Sequence, residues 1–181
     1  MTSAYEFGEA AKVTCVADMK RTTNVSGYTN TKTLAEKTDA ADKYKAAYAA
    51  RNYTGLMAPA GTTGWFLPSA QQWVKLIEGL GGLSDGVPSF AGAHFDHDLT
   101  AADKWEAALE KAGSGNYNSM NSGNLRYWSS SESTVERAVY LTVKPENPYA
   151  PGDHNYDGFY WEVWDKNTQA EHLRSRPFLA F

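Results

Sequence analysis

The chain has 181 residues, of which 42% are hydrophobic and 21% are charged, and its formal net charge is −4. This length and composition are typical of one globular domain and exclude a disordered or fibrous chain. No apolar run is long enough to cross a membrane, so no membrane insertion is expected. The acidic balance argues against nucleic acid as a partner. Because Cys15 is the only cysteine, an internal disulfide framework and a cysteine-based zinc site are excluded.

The N-terminal segment predicts one short strand and no secretory signal. Residues 1–19 lack the cationic start and apolar core of a secretory signal. Residues 12–17 are rich in residues that favour strands, which predicts a short strand with Cys15 as a small buried side chain. We therefore expect residues 1–27 to be a strand and lead-in, followed by one compact domain over residues 28–181.

Helical spacing of alanine and tyrosine predicts a helix over residues 38–51, with Thr38 or Asp39 as its N-cap. Gly and Pro then predict a loop over residues 52–63.

Ser69 and Gln72 have the spacing of a capping box, in which each side chain bonds the backbone amide of the other residue. A helix is therefore predicted over residues 69–79, where glycines end it. A third amphipathic helix is predicted over residues 100–112, with Lys104 and Lys111 on its outer face.

The last third of the chain predicts strands and loops. Residues 113–131 contain thirteen Gly, Ser or Asn among 19 residues, which is loop composition. Three β-type runs follow, at residues 138–143, 159–164 and 173–181. Helices followed by an antiparallel meander indicate the α+β class.

Three motifs stand in a recognisable order: residues 64–69 (GWFLPS), residues 127–132 (YWSSSE) and residues 174–181 (RSRPFLAF). Together they resemble bacterial, Bacteroides-type modules related to the Fibrobacter major paralogous domain. The resemblance covers residues 28–181 and implies a C-type lectin-like fold, with helices packed beside a small twisted antiparallel sheet formed mainly by the C-terminal third. It implies no particular activity, because one scaffold carries many functions.

The motif residues also have structural interpretations of their own. Trp65 and Phe66 precede the Pro-Ser helix start and can staple the chain to the first turn. Trp128 is expected to be a buried indole, and the serines that follow it are expected to satisfy turn backbone. Arg176 either bridges carbonyl groups or pairs with Glu132.

Metal sites have weak support in the sequence. His94 and His97 stand beside acidic residues, but their spacing in a loop fixes no coordination geometry, and Asp98 or Thr100 is better explained as a helix cap. Residues 144–148 (KPENP) differ in order from the Glu-Pro-Asn motif of calcium-dependent sugar-binding lectins. We expect no metal and no cofactor.

Catalysis has no recognisable signature either. An oxidase of the formylglycine-generating type needs two cysteines, and this chain has one. Ser129, Ser130 and Ser131 lie outside any Gly-x-Ser-x-Gly elbow, and His154 and His172 stand in unrelated contexts. We therefore expect a protein that is not an enzyme.

The aromatic residues of the C-terminal part suggest recognition. Residues 117–181 hold 12 of the 24 aromatic residues, mixed with Asn, Ser, Gly, Asp and His. Rigid rings combined with small polar groups are the composition of antibody-type binding surfaces. Tyr127, Trp128 and Tyr140 are expected to fill the core. The residues expected to contact a ligand are Asn116, Tyr117, Asn118, Asn121, Tyr149, His154, Asn155, Tyr156, Asp157 and Tyr160.

The sequence thus predicts a non-catalytic module that recognises a protein or glycan ligand, as an adhesin or receptor-binding domain at the cell surface, outside the cell or on a phage. The chain also resembles the variable proteins of diversity-generating retroelements, whose lectin-like scaffold displays diversified C-terminal residues. Adenine-directed mutagenesis of Asn-type codons yields the residue types enriched here. The alternative is a structural accessory domain of a surface or fimbrial assembly, with no ligand of its own.

Overall fold

The computed structural model describes residues 26–55, 57–79, 125–134, 136–144, 158–165, 173–174 and 177–179, together with Lys104, Ala107 and Lys111. It contains helices followed by a four-stranded sheet, which confirms the predicted α+β class. The predicted strand at residues 12–17, with Cys15, lies outside the described residues.

The first helix among the described residues is α1 (Gly27–Ala35), which the sequence did not predict. Its first turn is held by the Thr31 hydroxyl, which donates to the Gly27 carbonyl at 2.7 Å and accepts from the Leu67 amide at 2.8 Å. Helical spacing alone gave no signal here because polar Asn30 and Thr31 are buried in place of apolar residues.

The helix predicted over residues 38–51 is two helices, α2 (Ala40–Lys43) and α3 (Lys45–Arg51). Tyr44 interrupts them with φ −119° and ψ 44°, outside the helical region. Its hydroxyl is 3.3 Å from Lys37 Nζ, which also lies 4.7 Å from the centre of the Tyr44 ring. A single non-helical residue leaves the alanine spacing intact, so the sequence pattern does not reveal the break.

The capping box at the start of α4 (Ala70–Gly79) is confirmed. The Ser69 amide donates to Gln72 Oε1 at 2.9 Å, and the Gln72 amide donates to Ser69 Oγ at 3.3 Å. The inner face of this helix carries Ala70, Trp73 and Ile77, which are buried. Of the third predicted helix the structure describes Lys104, Ala107 and Lys111, and all three are helical and exposed.

The sheet consists of β1 (Leu125–Glu132), β2 (Arg137–Lys144), β3 (Gly158–Asp165) and β4 (Leu173–Arg174), in the order β3-β2-β1-β4. The predicted antiparallel pairing is confirmed for β2 and β3, and β1 also pairs antiparallel with β2.

Two predictions about this part of the chain are wrong. Residues 125–131 form a strand and not a loop, although they continue a Ser-rich segment. The last β-type run is also not one antiparallel strand, because β4 pairs with β1 in parallel and Phe178 forms an isolated antiparallel bridge with Phe66.

The core lies where α4 meets the sheet. The Trp73 ring is fully buried, with its centre 4.7 Å from the Phe178 ring and 5.8 Å from the Tyr127 ring. In β2, four consecutive residues from Ala138 to Leu141 are buried, so both faces of this strand are covered. Tyr127 and Tyr140 therefore fill the core as predicted, but Trp128 is only half-buried, at 5.9 Å from the Tyr140 ring.

Candidate functional site

Three strand ends meet at one end of the sheet, which we call the loop end. Leu125 at the start of β1 is in register with Val143 near the end of β2, and Val143 is in register with Phe159 near the start of β3. The chain therefore enters β1, leaves β2 and enters β3 at the same end. Residues 145–157 connect the paired residues Lys144 and Gly158, and residues 113–124 lead directly into Leu125.

Most of the predicted ligand-contacting residues belong to these two connecting segments. They lie outside the described residues, and they are Asn116, Tyr117, Asn118, Asn121, Tyr149, His154, Asn155, Tyr156 and Asp157. The tenth, Tyr160, lies in β3, where its backbone is in register with Thr142 of β2 and, through Thr142, with Arg126 of β1. The register thus brings together the points where the segments join the sheet.

The opposite half of β1, which we call the anchored end, is fixed by buried hydrogen bonds. The Ser130 amide donates to the Pro68 carbonyl at 2.8 Å, and Asn30 Nδ2 donates to the Ser130 carbonyl at 2.8 Å. The Ala70 amide, in the first turn of α4, donates to Ser131 Oγ at 3.0 Å. Two of the three motifs of the resemblance are therefore in direct contact.

Ser129 completes this network from within the sheet. Its hydroxyl donates to the Val139 carbonyl at 2.7 Å and accepts from the Ser131 amide at 3.2 Å. The register of β1 against β2 shifts between Trp128 and Glu132, so the regular backbone pairing is interrupted here. The Ser129 hydroxyl bonds the Val139 carbonyl of β2 in this interval. The serines thus satisfy the backbone of a helix start and a neighbouring strand, and not of a turn as the sequence suggested.

The serine hydroxyls are poorly placed for nucleophilic attack. Ser129 is 2% exposed, and Ser130 and Ser131 are fully buried. Because the hydroxyls of Ser129 and Ser131 bond backbone groups, the arrangement has a structural role. Glu132, the last residue of the motif, is also fully buried, but Arg176, its predicted partner, lies outside the described residues.

No metal site is found in the part of the chain that the structure describes, where no three His, Cys, Asp or Glu residues form a group able to hold an ion. The His94 and His97 cluster and most of residues 144–148 lie outside that part. The hydrogen bond from Lys43 holds the pKa of Asp39 below its ordinary value of 3.8. Lys43 Nζ lies 2.6 Å from Asp39 Oδ2 on the exposed side of α2.

A second surface feature was not predicted from the sequence. Arg51, the last residue of α3, lies with its guanidinium carbon 5.3 Å from the centre of the Tyr28 ring. In the following loop, Tyr53 packs edge-to-face on Trp65, with the ring centres 5.3 Å apart and the planes at 86°. We call these four residues, Tyr28, Arg51, Tyr53 and Trp65, the guanidinium patch.

The predicted loop is confirmed for the described residues of 52–63. Its Gly and Pro content predicts the loop but does not indicate which residues pack around it. The signal that could have found the patch is a pair of aromatic residues, Tyr53 near the start of this loop and Trp65 just after its end. Of the two residues that were predicted to staple the helix start, Trp65 is half-buried. Phe66, by contrast, is 1% exposed.

Comparisons of this chain with protein-family models, with curated proteins and with solved structures gave no match. Within the described residues, no helix combines the length and the apolar character that crossing a membrane requires.

Proposed function

We propose that this protein is a non-catalytic ligand-binding module of C-type lectin-like type, whose binding surface is formed at the loop end of the sheet. The observation that carries the proposal is the register of β1, β2 and β3. It joins both segments rich in Tyr, Asn, His and Asp to one end of a single sheet. Residues from distant parts of the sequence can then contribute to one surface.

The length of the β2–β3 connection supports this proposal. Antiparallel strands that pair up to their last residues need a loop of only about 2–5 residues. Here 13 residues, 145–157, join Lys144 to Gly158. Connections this long that are carried on a rigid scaffold are commonly functional, as in antibody-type binding loops.

The rigid scaffold is the second support. All four residues from Ala138 to Leu141 in β2 are buried, and β1 is tied to α1 and α4 through Ser130 and Ser131. Changes of sequence in the connecting segments leave these contacts in place. A scaffold of this kind suits a surface that varies, which agrees with the proposed origin as a retroelement-diversified protein.

The chemistry of the connecting segments narrows the ligand class. Residues 149–164 contain no Lys or Arg but include Asp153, Asp157 and Glu162. Phosphate-rich partners need cationic side chains, so nucleic acid is disfavoured. A protein surface or a glycan fits Tyr, Asn and His side chains, and no cofactor or metal is needed. We place this recognition at a cell surface, outside the cell or on a phage particle.

The test is a screen of glycan and surface-protein arrays with the wild-type chain and with a Tyr117→Ala/Tyr156→Ala/Tyr160→Ala variant. The proposal expects a hit that the triple variant loses while its melting temperature stays unchanged. Tyr48→Ala is the matched control, because Tyr48 is 40% exposed on α3, away from the sheet, and this variant should keep the hit.

The other outcomes are also decisive. A hit that the triple variant retains would show that the binding surface lies elsewhere. No hit for the wild-type chain would favour the alternative function, a structural accessory domain of a surface or fimbrial assembly. The retroelement origin is tested separately in the source genome, where a template repeat and a reverse-transcriptase gene must lie near the coding sequence.

A further inference from the structure

The guanidinium group of Arg51 is held in place from two sides. The Tyr28 ring lies 5.3 Å from the guanidinium carbon, and Nη1 donates to the Thr63 carbonyl at 3.3 Å. Arg51 as a whole is half-buried. A guanidinium fixed in this way loses little freedom when a further group binds it, because its plane is already set.

This fixed charge has no counterion in the part of the chain that the structure describes. The ion pairs there involve other cations, such as Lys32 with Glu36 and Lys43 with Asp39. A guanidinium carries five N–H donors, and one of them bonds the Thr63 carbonyl. The remaining donors form the planar fork that binds a carboxylate through two parallel hydrogen bonds.

The loop that contacts this charge also carries an aromatic pair. Gly64 separates Thr63 from Trp65 and has φ +77°, and a Cβ built on it would lie 3.1 Å from Arg51 Nη1. The loop backbone therefore passes against the guanidinium just before Trp65. Tyr53, packed on Trp65, remains 38% exposed. The fixed positive charge and the aromatic pair therefore both belong to the segment over residues 51–65.

We propose that the guanidinium patch binds an acidic peptide segment of a partner protein. A carboxylate of the segment pairs with Arg51, and a neighbouring apolar side chain packs on Tyr53 and Trp65. Arg, Tyr and Trp are the residues that dominate binding energy in protein interfaces. One guanidinium suits a single carboxylate, whereas an acidic polysaccharide or a nucleic acid requires several cations in a row.

This surface shares no residue with the loop end of the sheet. It is built from α1, α3 and the loop over residues 52–65, and none of the ten predicted ligand-contacting residues belongs to it. Loss of binding at one surface should leave the other unaffected.

The test uses random peptides displayed on phage, selected against the full wild-type chain. The enriched peptides are expected to carry Asp or Glu next to an aromatic or aliphatic residue. Affinity of the synthetic peptides, measured by fluorescence anisotropy, should fall about tenfold or more when that Asp or Glu is replaced by Asn or Gln. Arg51→Lys, which keeps the charge and removes the fork, should weaken binding to a similar extent.

Two further variants separate binding from folding. Tyr53→Ala changes a side chain outside the Arg51–Tyr28 contact. It should lower the affinity for the peptides several-fold and leave the melting temperature of the protein unchanged. Arg137→Lys makes the same chemical change at an exposed arginine of β2 and should leave binding as it is. The proposal is overturned if no peptide is enriched, if the enriched peptides lack carboxylates, or if Arg51→Lys binds as tightly as wild type. Tighter binding of an oligogalacturonate than of every selected peptide would also overturn it.

Discussion

The anchored end and the loop end of the same sheet are stabilised in different ways. At the anchored end, Ser130 and Ser131 bond residues of α1, the segment before α4 and α4 itself, at sequence separations of 61 residues or more. At the loop end, ladder pairs join Leu125, Val143 and Phe159. Because the anchored end ties the sheet to two helices, we expect it to contribute most to fold stability and the loop end to tolerate changes of sequence.

The largest loss of stability is expected from Trp73→Ala, which removes a fully buried ring from between Phe178 and Tyr127. The cavity and the lost burial should lower the free energy of unfolding by about 3–5 kcal/mol. Chemical denaturation measures this directly. A loss below about 1 kcal/mol would mean that the core lies elsewhere.

The serine network should account for the next largest effects. Ser131→Ala removes the acceptor for the Ala70 amide, and Ser129→Ala removes the bond to the Val139 carbonyl. Each should cost about 1–2 kcal/mol, because a buried backbone group loses its partner. The two serines are in contact, because the Ser131 amide donates to Ser129 Oγ. The free energies lost in the two single variants should therefore not add up to the loss in the double variant, and a double-mutant cycle measures this coupling.

A matched pair of glycines tests the contact between Arg51 and the following loop. Gly61 and Gly64 have φ of +85° and +77°, so alanine at either position is strained by about 1 kcal/mol. A Cβ at Gly61 meets nothing within 4 Å, whereas a Cβ at Gly64 lies 3.1 Å from Arg51 Nη1. Gly64→Ala should therefore lower the melting temperature more than Gly61→Ala. Equal losses would mean that Arg51 moves away freely.

The loop end should tolerate a much larger change. Replacing residues 145–157 by Asn-Gly leaves Lys144 and Gly158 as the closing pair of a two-residue hairpin. We expect the free energy of unfolding to change by no more than about 1 kcal/mol, since loop length has a weak effect on stability. Binding to any array hit should disappear. Unfolding of this variant would contradict the division between the two ends.

The smallest expected effect concerns Asp39 and Lys43, which belong to neither end. The pKa of Asp39 is lowered by the hydrogen bond from Lys43, so the pair stabilises the fold above the ordinary carboxyl pKa of 3.8. This contribution is lost as the pH falls through the lowered value. Asp39→Asn should therefore melt slightly below wild type near neutral pH and equally in strong acid. A difference that persists in acid would show that charge is not its cause.

Local chemistry explains which parts of the fold could be predicted from the sequence. Ser69 and Gln72 bond each other's amides across three residues, so their spacing alone identified the start of α4. The serines of β1 were interpreted as a loop because their hydroxyl partners, Val139 and Ala70, are distant in sequence. Amino-acid composition does not indicate whether a serine hydroxyl is buried and bonded to a residue distant in sequence.

The same reasoning applies to the two surfaces. The loop end follows from the register of three strands, and the sequence supplied the residue types but not the register. The guanidinium patch depends on Tyr28 and Arg51, which lie on different helices and approach only when α1 packs beside α3. No spacing in the sequence marks that approach.

The bond from Ala70 to Ser131 also has a consequence for synthesis on the ribosome. The helix start at Ala70 is made long before Ser131, which follows 61 residues later. At about 5–20 residues per second, some 3–12 seconds of translation separate the two. During that interval Ser69 and Gln72 cap the helix locally, but the Ala70 amide lacks its native acceptor. The hydrogen bonding at the start of α4 is therefore completed only after β1 has been synthesised. A pause in translation before residue 131 should prolong the exposure of Trp73.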